Sequence, residues 1–134
     1  MPDRTPSQSL HGRHILVAED EYLMASELCR RLQEEGADVI GPAPTVEAAL
    51  ALARADGSLD GAVLDVNLQG GVVFPVVEEL RRRGVPVVFA TGYDAWALPA
   101  EFGDIPRCEK PVEMAQLMPL LQTRGDTSST AHPS

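Results

Sequence analysis

The strongest constraint on this chain is a repeating order. Short, β-rich apolar runs alternate five times with stretches of helical periodicity, between a polar start and a polar end. Four of the runs begin at His14, Gly61, Val85 and Ile105, and they lead in turn to Glu19-Asp20, Asp65, Thr91 and Lys110. Alternating strands and helices give an α/β fold with a parallel sheet covered on both faces. Ligands of such sheets bind outside the carboxyl ends of the strands. Carboxylates, a hydroxyl and an ammonium are therefore expected to converge on one pocket, a set suited to a divalent metal and a transferred phosphoryl group.

The segments between follow from periodicity and punctuation. Leu23, Met24, Leu28 and Leu32 recur at helical spacing, predicting a first helix over residues 21–35 that Gly36 stops. A second strand is expected over 37–41, ended by Pro42. Thr45 is a good N-cap for a second helix whose apolar face is Val46, Ala49, Leu50 and Ala53. The third strand is expected over 60–66 and a third helix over 73–83, with Pro75 tolerated in its first turn. A last helix over 113–123 places Met114, Leu117, Met118 and Leu121 on one side. Residues 1–12 and 123–134 read as disordered tails around one domain over 13–122.

Composition narrows the class of function. The chain has 134 residues, enough for one domain with one core, and a formal net charge of -9, which disfavours nucleic acid as a direct partner. No apolar run approaches the roughly 20 residues of a membrane span, and no signal-peptide core opens the chain. A cytoplasmic protein without membrane contact is expected. Cys29 and Cys108 read as small buried hydrophobes, and His11 with His14 lacks further ligands for a zinc site.

Asp65 leaves a buried run at the strand-end crevice, where a carboxylate can attack phosphorus and form an aspartyl phosphate. The plain alternative is an aspartate serving as a turn residue after a strand. Glu19 and Asp20 repel each other unless a cation lies between them. Asp20 is the better direct metal ligand and Glu19 acts through a water, although Asp20 is equally suited to cap the first helix. Glu21 favours the helix dipole. Thr91 offers a hydroxyl and Lys110 a point charge to phosphoryl oxygens. Proline at 111 permits a cis bond that sets the lysine's direction.

Together, Ala18-Glu-Asp-Glu21, Val63-Leu-Asp-Val-Asn-Leu68, Phe89-Ala-Thr-Gly92 and Glu109-Lys-Pro111 resemble the receiver domain of bacterial two-component response regulators. The resemblance spans residues 13–122. It implies a flavodoxin-like, doubly wound sheet of five parallel strands in order 2-1-3-4-5. It also implies phosphoryl transfer to Asp65 from a histidine kinase or histidine phosphotransfer protein. Magnesium (Mg2+) would be held by Asp20, Asp65 and the backbone carbonyl of Asn67, with Glu19 in support, while Thr91 and Lys110 hold the phosphoryl group. Phe89-Ala-Thr-Gly-Tyr93 is similar to the motif of the FAT GUY receivers, typically single-domain regulators.

Two places depart from the family pattern. Arg107 stands where many receivers carry an aromatic residue that swings with the threonine; Tyr93 takes over part of that role, or Arg107 is simply a solvated strand residue. The fourth helix must form within residues 92–104, where Pro99 and Gly103 leave only a turn or two. It is expected to be short or irregular, with Trp96, Leu98 and Phe102 as anchors of an ordering switch or as ordinary core. Without an output domain, the protein is expected to signal by changing partners, or as a phosphate sink, through helix four, strand five and helix five.

Competing readings are weaker. A haloacid-dehalogenase-type phosphatase needs a second aspartate where Asn67 stands, and a cap domain. An EF-hand loop starting at Asp65 fails because its twelfth position is Val76. The serious rival is a phosphate-independent interaction module that carries the site without using it. As a receiver, the chain is expected to catalyse only its own Mg2+-dependent phosphorylation and slow dephosphorylation and not to be an enzyme otherwise.

Overall fold

The computed structural model describes residues 10–55, 57–69, 71–92 and 98–122. The elements run β1 (His14–Ala18), α1 (Tyr22–Glu34), β2 (Asp38–Ala43), α2 (Val46–Ala55), β3 (Gly61–Asp65), β4 (Asn67–Leu68), β5 (Gly71–Val72), α3 (Phe74–Arg82), β6 (Val87–Thr91), β7 (Arg107–Glu109) and α4 (Met114–Gln122). Five strands pair in parallel in the order β2-β1-β3-β6-β7, the doubly wound order expected once the small antiparallel hairpin β4-β5 is set aside.

Alternation along the central strands sorts the core into two layers. Leu16, Ala62, Leu64 and Phe89 face α2 and α3, where Ala49, Ala53, Val77 and Leu80 meet them. Ile15, Val17, Val63, Val88 and Cys108 face α1 and α4, against Leu28, Leu32, Leu117 and Leu121. Both faces being covered, β1, β3 and β6 are apolar at nearly every position, as buried parallel strands are. Cys29 and Cys108 are both buried in the second layer, and burial pushes both thiols up from the usual range.

Several local expectations are corrected. Pro42 lies inside β2 instead of ending it. The strand is at the sheet edge, where a missing N–H costs little, and the pairing with β1 shifts register between Leu16 and Ala18 around a cis Gly41–Pro42 bond. Gly41 has φ +113, and a Cβ there would stand 2.7 Å from the Val17 carbonyl oxygen, so only glycine fits. Of the apolar residues whose spacing predicted α1, Leu23 and Met24 point to solvent, and Ala25 and Cys29 join Leu28 and Leu32 inside. The N-terminal tail is already packed from Leu10, which is fully buried and donates its N–H to the Glu35 carbonyl at 2.7 Å. Pro119 sits within α4, exposed.

Thr45 does cap α2, its Oγ1 accepting from the Ala48 N–H at 3.0 Å. The expected fourth helix falls mostly on residues 93–97, which lie outside the described residues, as do Tyr93 and Trp96. Beyond them comes a single 3-10 turn, Ala100–Phe102. Leu98 packs on the core and Phe102 is buried in it. Among the described residues, no helix is long and apolar enough to cross a membrane.

Candidate phosphoacceptor and metal site

Four strand ends build the site. Beyond β1, the chain turns into α1 through Glu19, Asp20 and Glu21. Glu21, not Asp20, is the N-cap: its carboxylate accepts from the Met24 N–H at 3.2 Å. Its own backbone N–H donates to Glu19 Oε2 at 2.9 Å, which fixes the buried Glu19 side chain. Asp65 closes β3 and is buried; the Asn67 N–H donates to its Oδ1 at 3.1 Å across the turn into β4.

Thr91 closes β6. Its buried hydroxyl donates to the Gly92 carbonyl at 2.8 Å. Its own carbonyl accepts the Lys110 N–H at 2.9 Å, tying the ends of β6 and β7 together. The Lys110–Pro111 bond is cis. The lysine Nζ lies 2.6 Å from Asp65 Oδ2 and 2.8 Å from Glu19 Oε1.

One ammonium thus bridges two buried carboxylates. Burial alone would lower the Lys110 pKa, but its hydrogen bonds to Asp65 and Glu19, and their charges, outweigh this and hold it above the ordinary lysine value. Ligand oxygens of Glu19, Asp20 and Asp65 come within 4.8 Å of one another, the one group of three or more metal-capable side chains found among the described residues. Three carboxylates against one ammonium leave net negative charge. The donors are all hard oxygens, which fits Mg2+ and not a thiophilic ion.

Strand parity accounts for the convergence and was available in the sequence. Glu19 continues the phase of Ile15 and Val17, Asp65 that of Val63, and Lys110 that of Cys108, all on the α1–α4 side. Thr91 shares the opposite phase with Val87 and Phe89. The double commitment of Glu19, to Lys110 and to the Glu21 N–H, was not foreseen. Arg107 is exposed on the edge strand β7, away from the buried set.

Beside the site lies a cavity of about 390 Å³ between α1 and the turn into α4, lined by Leu23, Met24, Leu28 and Val112 together with Glu19 and Lys110. Tyr22, Leu23 and Met24 are 78%, 71% and 39% exposed. With Val72, they are the large exposed apolar residues among those described; none lies on β7 or α4.

No family model matches this chain. Its structure is similar to the solution structure of SdrG from Sphingomonas melonis Fr1, with 39% sequence identity, a TM-score of 0.71, and coverage of 81% of this chain and 95% of that one. It is also similar to the receiver domain of the hybrid histidine kinase CckA, with 25% identity, a TM-score of 0.67, and coverage of 83% and 97%. A curated relative, the transcriptional regulatory protein PdtaR of Mycobacterium tuberculosis, is 27% identical over 122 residues; the match takes in 88% of this chain but 59% of PdtaR. Together with the sheet order and the strand-end site, these likenesses show that the chain belongs to the response regulator receiver domain family.

Proposed function

We propose that this chain is a phosphorylation-dependent signalling switch in which Asp65 accepts a phosphoryl group from a histidine kinase or histidine phosphotransfer protein. The observation that carries the reading is the ammonium of Lys110 held 2.6 Å from Asp65 Oδ2 and 2.8 Å from Glu19 Oε1, within a cluster of three carboxylates. A carboxylate oxygen of Asp65 forms the new O–P bond as the P–N bond to the donor imidazole breaks, and the electron pair returns to the ring nitrogen. Asp65 loses its charge to the acyl phosphate, a mixed anhydride, while the phosphoryl oxygens bring new negative charge. Lys110, retained by Glu19, is placed to meet them. Thr91 must release the Gly92 carbonyl to donate to a phosphoryl oxygen.

Asp20, Asp65 and the Asn67 carbonyl would hold Mg2+, with Glu19 in support. When bound, the ion supplies the charge neutralisation that lets one anion approach another. The chain's only catalysis in this reading is its own phosphorylation and slow dephosphorylation. The motif Phe89-Ala-Thr-Gly-Tyr93 supports placement among the FAT GUY receivers, and a soluble phosphorelay role fits the absence of a membrane-spanning helix among the described residues.

The phosphodonor protein docks, in this reading, over the exposed side chains of Tyr22, Leu23 and Met24, the last two lining a groove that Lys110 also lines. Output was expected from helix four, β7 and α4; whether the phosphorylated form binds a new partner or simply drains phosphate follows from what it captures.

The test is intact mass after incubation with acetyl phosphate and Mg2+. Wild type is expected to gain one phosphoryl group, and neither Asp65→Asn nor an EDTA-treated sample should. If wild type shows no gain, and beryllofluoride shifts no amide, the switch reading fails. A phosphate-independent interaction module then stands in its place.

A further inference from the structure

The segment leading into β7 shares the core with α3 and meets it through a ring stack and one guanidinium as well. Phe102 stacks on Phe74, with ring centroids 4.6 Å apart and planes 18° from parallel. The guanidinium of Arg81 lies 5.5 Å from the Phe102 ring centre. The same guanidinium donates to the Glu101 carbonyl at 3.2 Å and to Asp104 Oδ1 at 2.6 Å. Arg81 thereby touches three consecutive features of the segment: a backbone oxygen, a ring face and a carboxylate. Its fork geometry allows all three at once, where a lysine would supply a single point charge.

The position of this contact along the chain gives it meaning. Phe74 is the first residue of α3, separated from the β4-β5 hairpin by Val73 alone. That hairpin begins at Asn67, whose N–H is bonded to Asp65, and its far end is tied back by the Val73 N–H to the Val66 carbonyl at 2.9 Å. Phe102 lies between Thr91 and Lys110. One stack therefore joins the chain that follows the acceptor to the chain that links the hydroxyl and the ammonium.

We propose that Arg81, through the Phe74–Phe102 stack, is a latch that couples the state of Asp65 to the segment 98–105. Arg81 is a positioning residue: it touches neither Asp65 nor any group at the strand ends. The proposal rests on the phosphorylation reading for its trigger, but the coupling itself is measurable without it.

The readout is amide hydrogen exchange of Phe102, Gly103 and Ile105, whose N–H groups bond to the Pro99, Ala100 and Phe102 carbonyls at 3.0, 3.0 and 3.2 Å. In the wild-type chain, beryllofluoride with Mg2+ is expected to change these rates by about tenfold. Arg81→Ala, an exposed substitution, should gain a phosphoryl group from acetyl phosphate as wild type does, yet show a change of less than about twofold. The charge swap Arg81→Asp with Asp104→Arg should recover part of the response. A wild-type response in Arg81→Ala overturns the latch. Where wild type takes neither phosphoryl group nor beryllofluoride, the functional reading fails, and a cycle of Asp65→Asn with Arg81→Ala decides the latch separately. Non-additive exchange at the three amides supports it, and additive exchange overturns it.

Discussion

The strand-end site and the segment from Leu98 to Ile105 meet at β6 and β7 yet are held in opposite ways. At the strand ends, Glu19, Asp65 and Thr91 are buried, and each has a polar partner within 3.1 Å. Losing one partner there strands a desolvated charge, so the arrangement resists change. In the segment, Phe102 and Ile105 are buried while most neighbours are exposed, and regular structure amounts to one 3-10 turn. Its ion pair, Arg81–Asp104, is exposed, a class of contact that contributes about 0–1 kcal/mol. Stiffness sits where chemistry must be pre-organised, and looseness sits where a signal can leave.

Two phenylalanines break or sharpen that contrast most. Phe89, fully buried in β6 between β3 and β7, packs between the sheet and α3. Phe89→Ala should cost about 3–5 kcal/mol of global stability in urea unfolding. Phe102→Ala removes a ring of the same size from a segment that can collapse around the gap. About 2 kcal/mol is expected, with most of the loss seen as faster exchange at 100–105 while the β3 amides stay protected. Equal global losses, with no local excess at 100–105, would erase the difference between the regions.

A smaller effect probes the charges. Lys110→Met leaves Glu19 and Asp65 facing each other without a cation. Removing one partner of a buried pair costs about 3–5 kcal/mol, and the partial exposure of the lysine reduces this to about 2 kcal/mol. Millimolar Mg2+ should stabilise the variant more than wild type, because the ion replaces the lost charge; equal stabilisation would argue against a cation site among these carboxylates. Wild type in EDTA adds the pH arm. Because the folded pKa of Lys110 is raised, the stability it contributes is complete below the unfolded value of about 10.4 and is lost as pH rises through the folded value. Alkaline unfolding of Asp65→Asn should therefore be less steep above that pH than that of wild type.

Much of this was legible in the sequence. The role of Thr45 and the placing of Glu19, Asp20, Asp65, Thr91 and Lys110 at strand ends follow from alternation and position, whereas the strand order was implied by the resemblance to receiver domains. The misreadings are equally physical. Pro42 ends a strand only if its N–H is needed, and at an edge it is not. Asp20 and Glu21 are both acids at a helix start, and only the backbone geometry chose Glu21 as the cap. The β4-β5 hairpin is two residues a side, too short to leave a period. Leu23 and Met24 match helical spacing as well as Leu28 does, because period alone does not reveal how far the apolar stripe extends beyond what the sheet can cover.

That last misreading yields the smallest effect on stability. Leu23 is 71% exposed on α1, so Leu23→Glu should change the folding free energy by less than about 0.5 kcal/mol. Acetyl phosphate, a small donor, should load Asp65 in the variant at the wild-type rate, since Leu23 is exposed on α1 and the Asp65 carboxylate is held by Lys110 and the Asn67 N–H. A donor protein has to lay its own surface on α1, where the new carboxylate must be desolvated among Met24, Leu28 and Val112. Transfer from a phosphohistidine protein should then slow by about tenfold or more, the 1.4 kcal/mol equivalent of one poorly desolvated charge at an interface rim. If both donors slow together, Leu23 is supporting the site and the face has no docking role. If neither slows, the donor approaches from another side, and the exposed apolar residues of α1 are unconnected with delivery to Asp65.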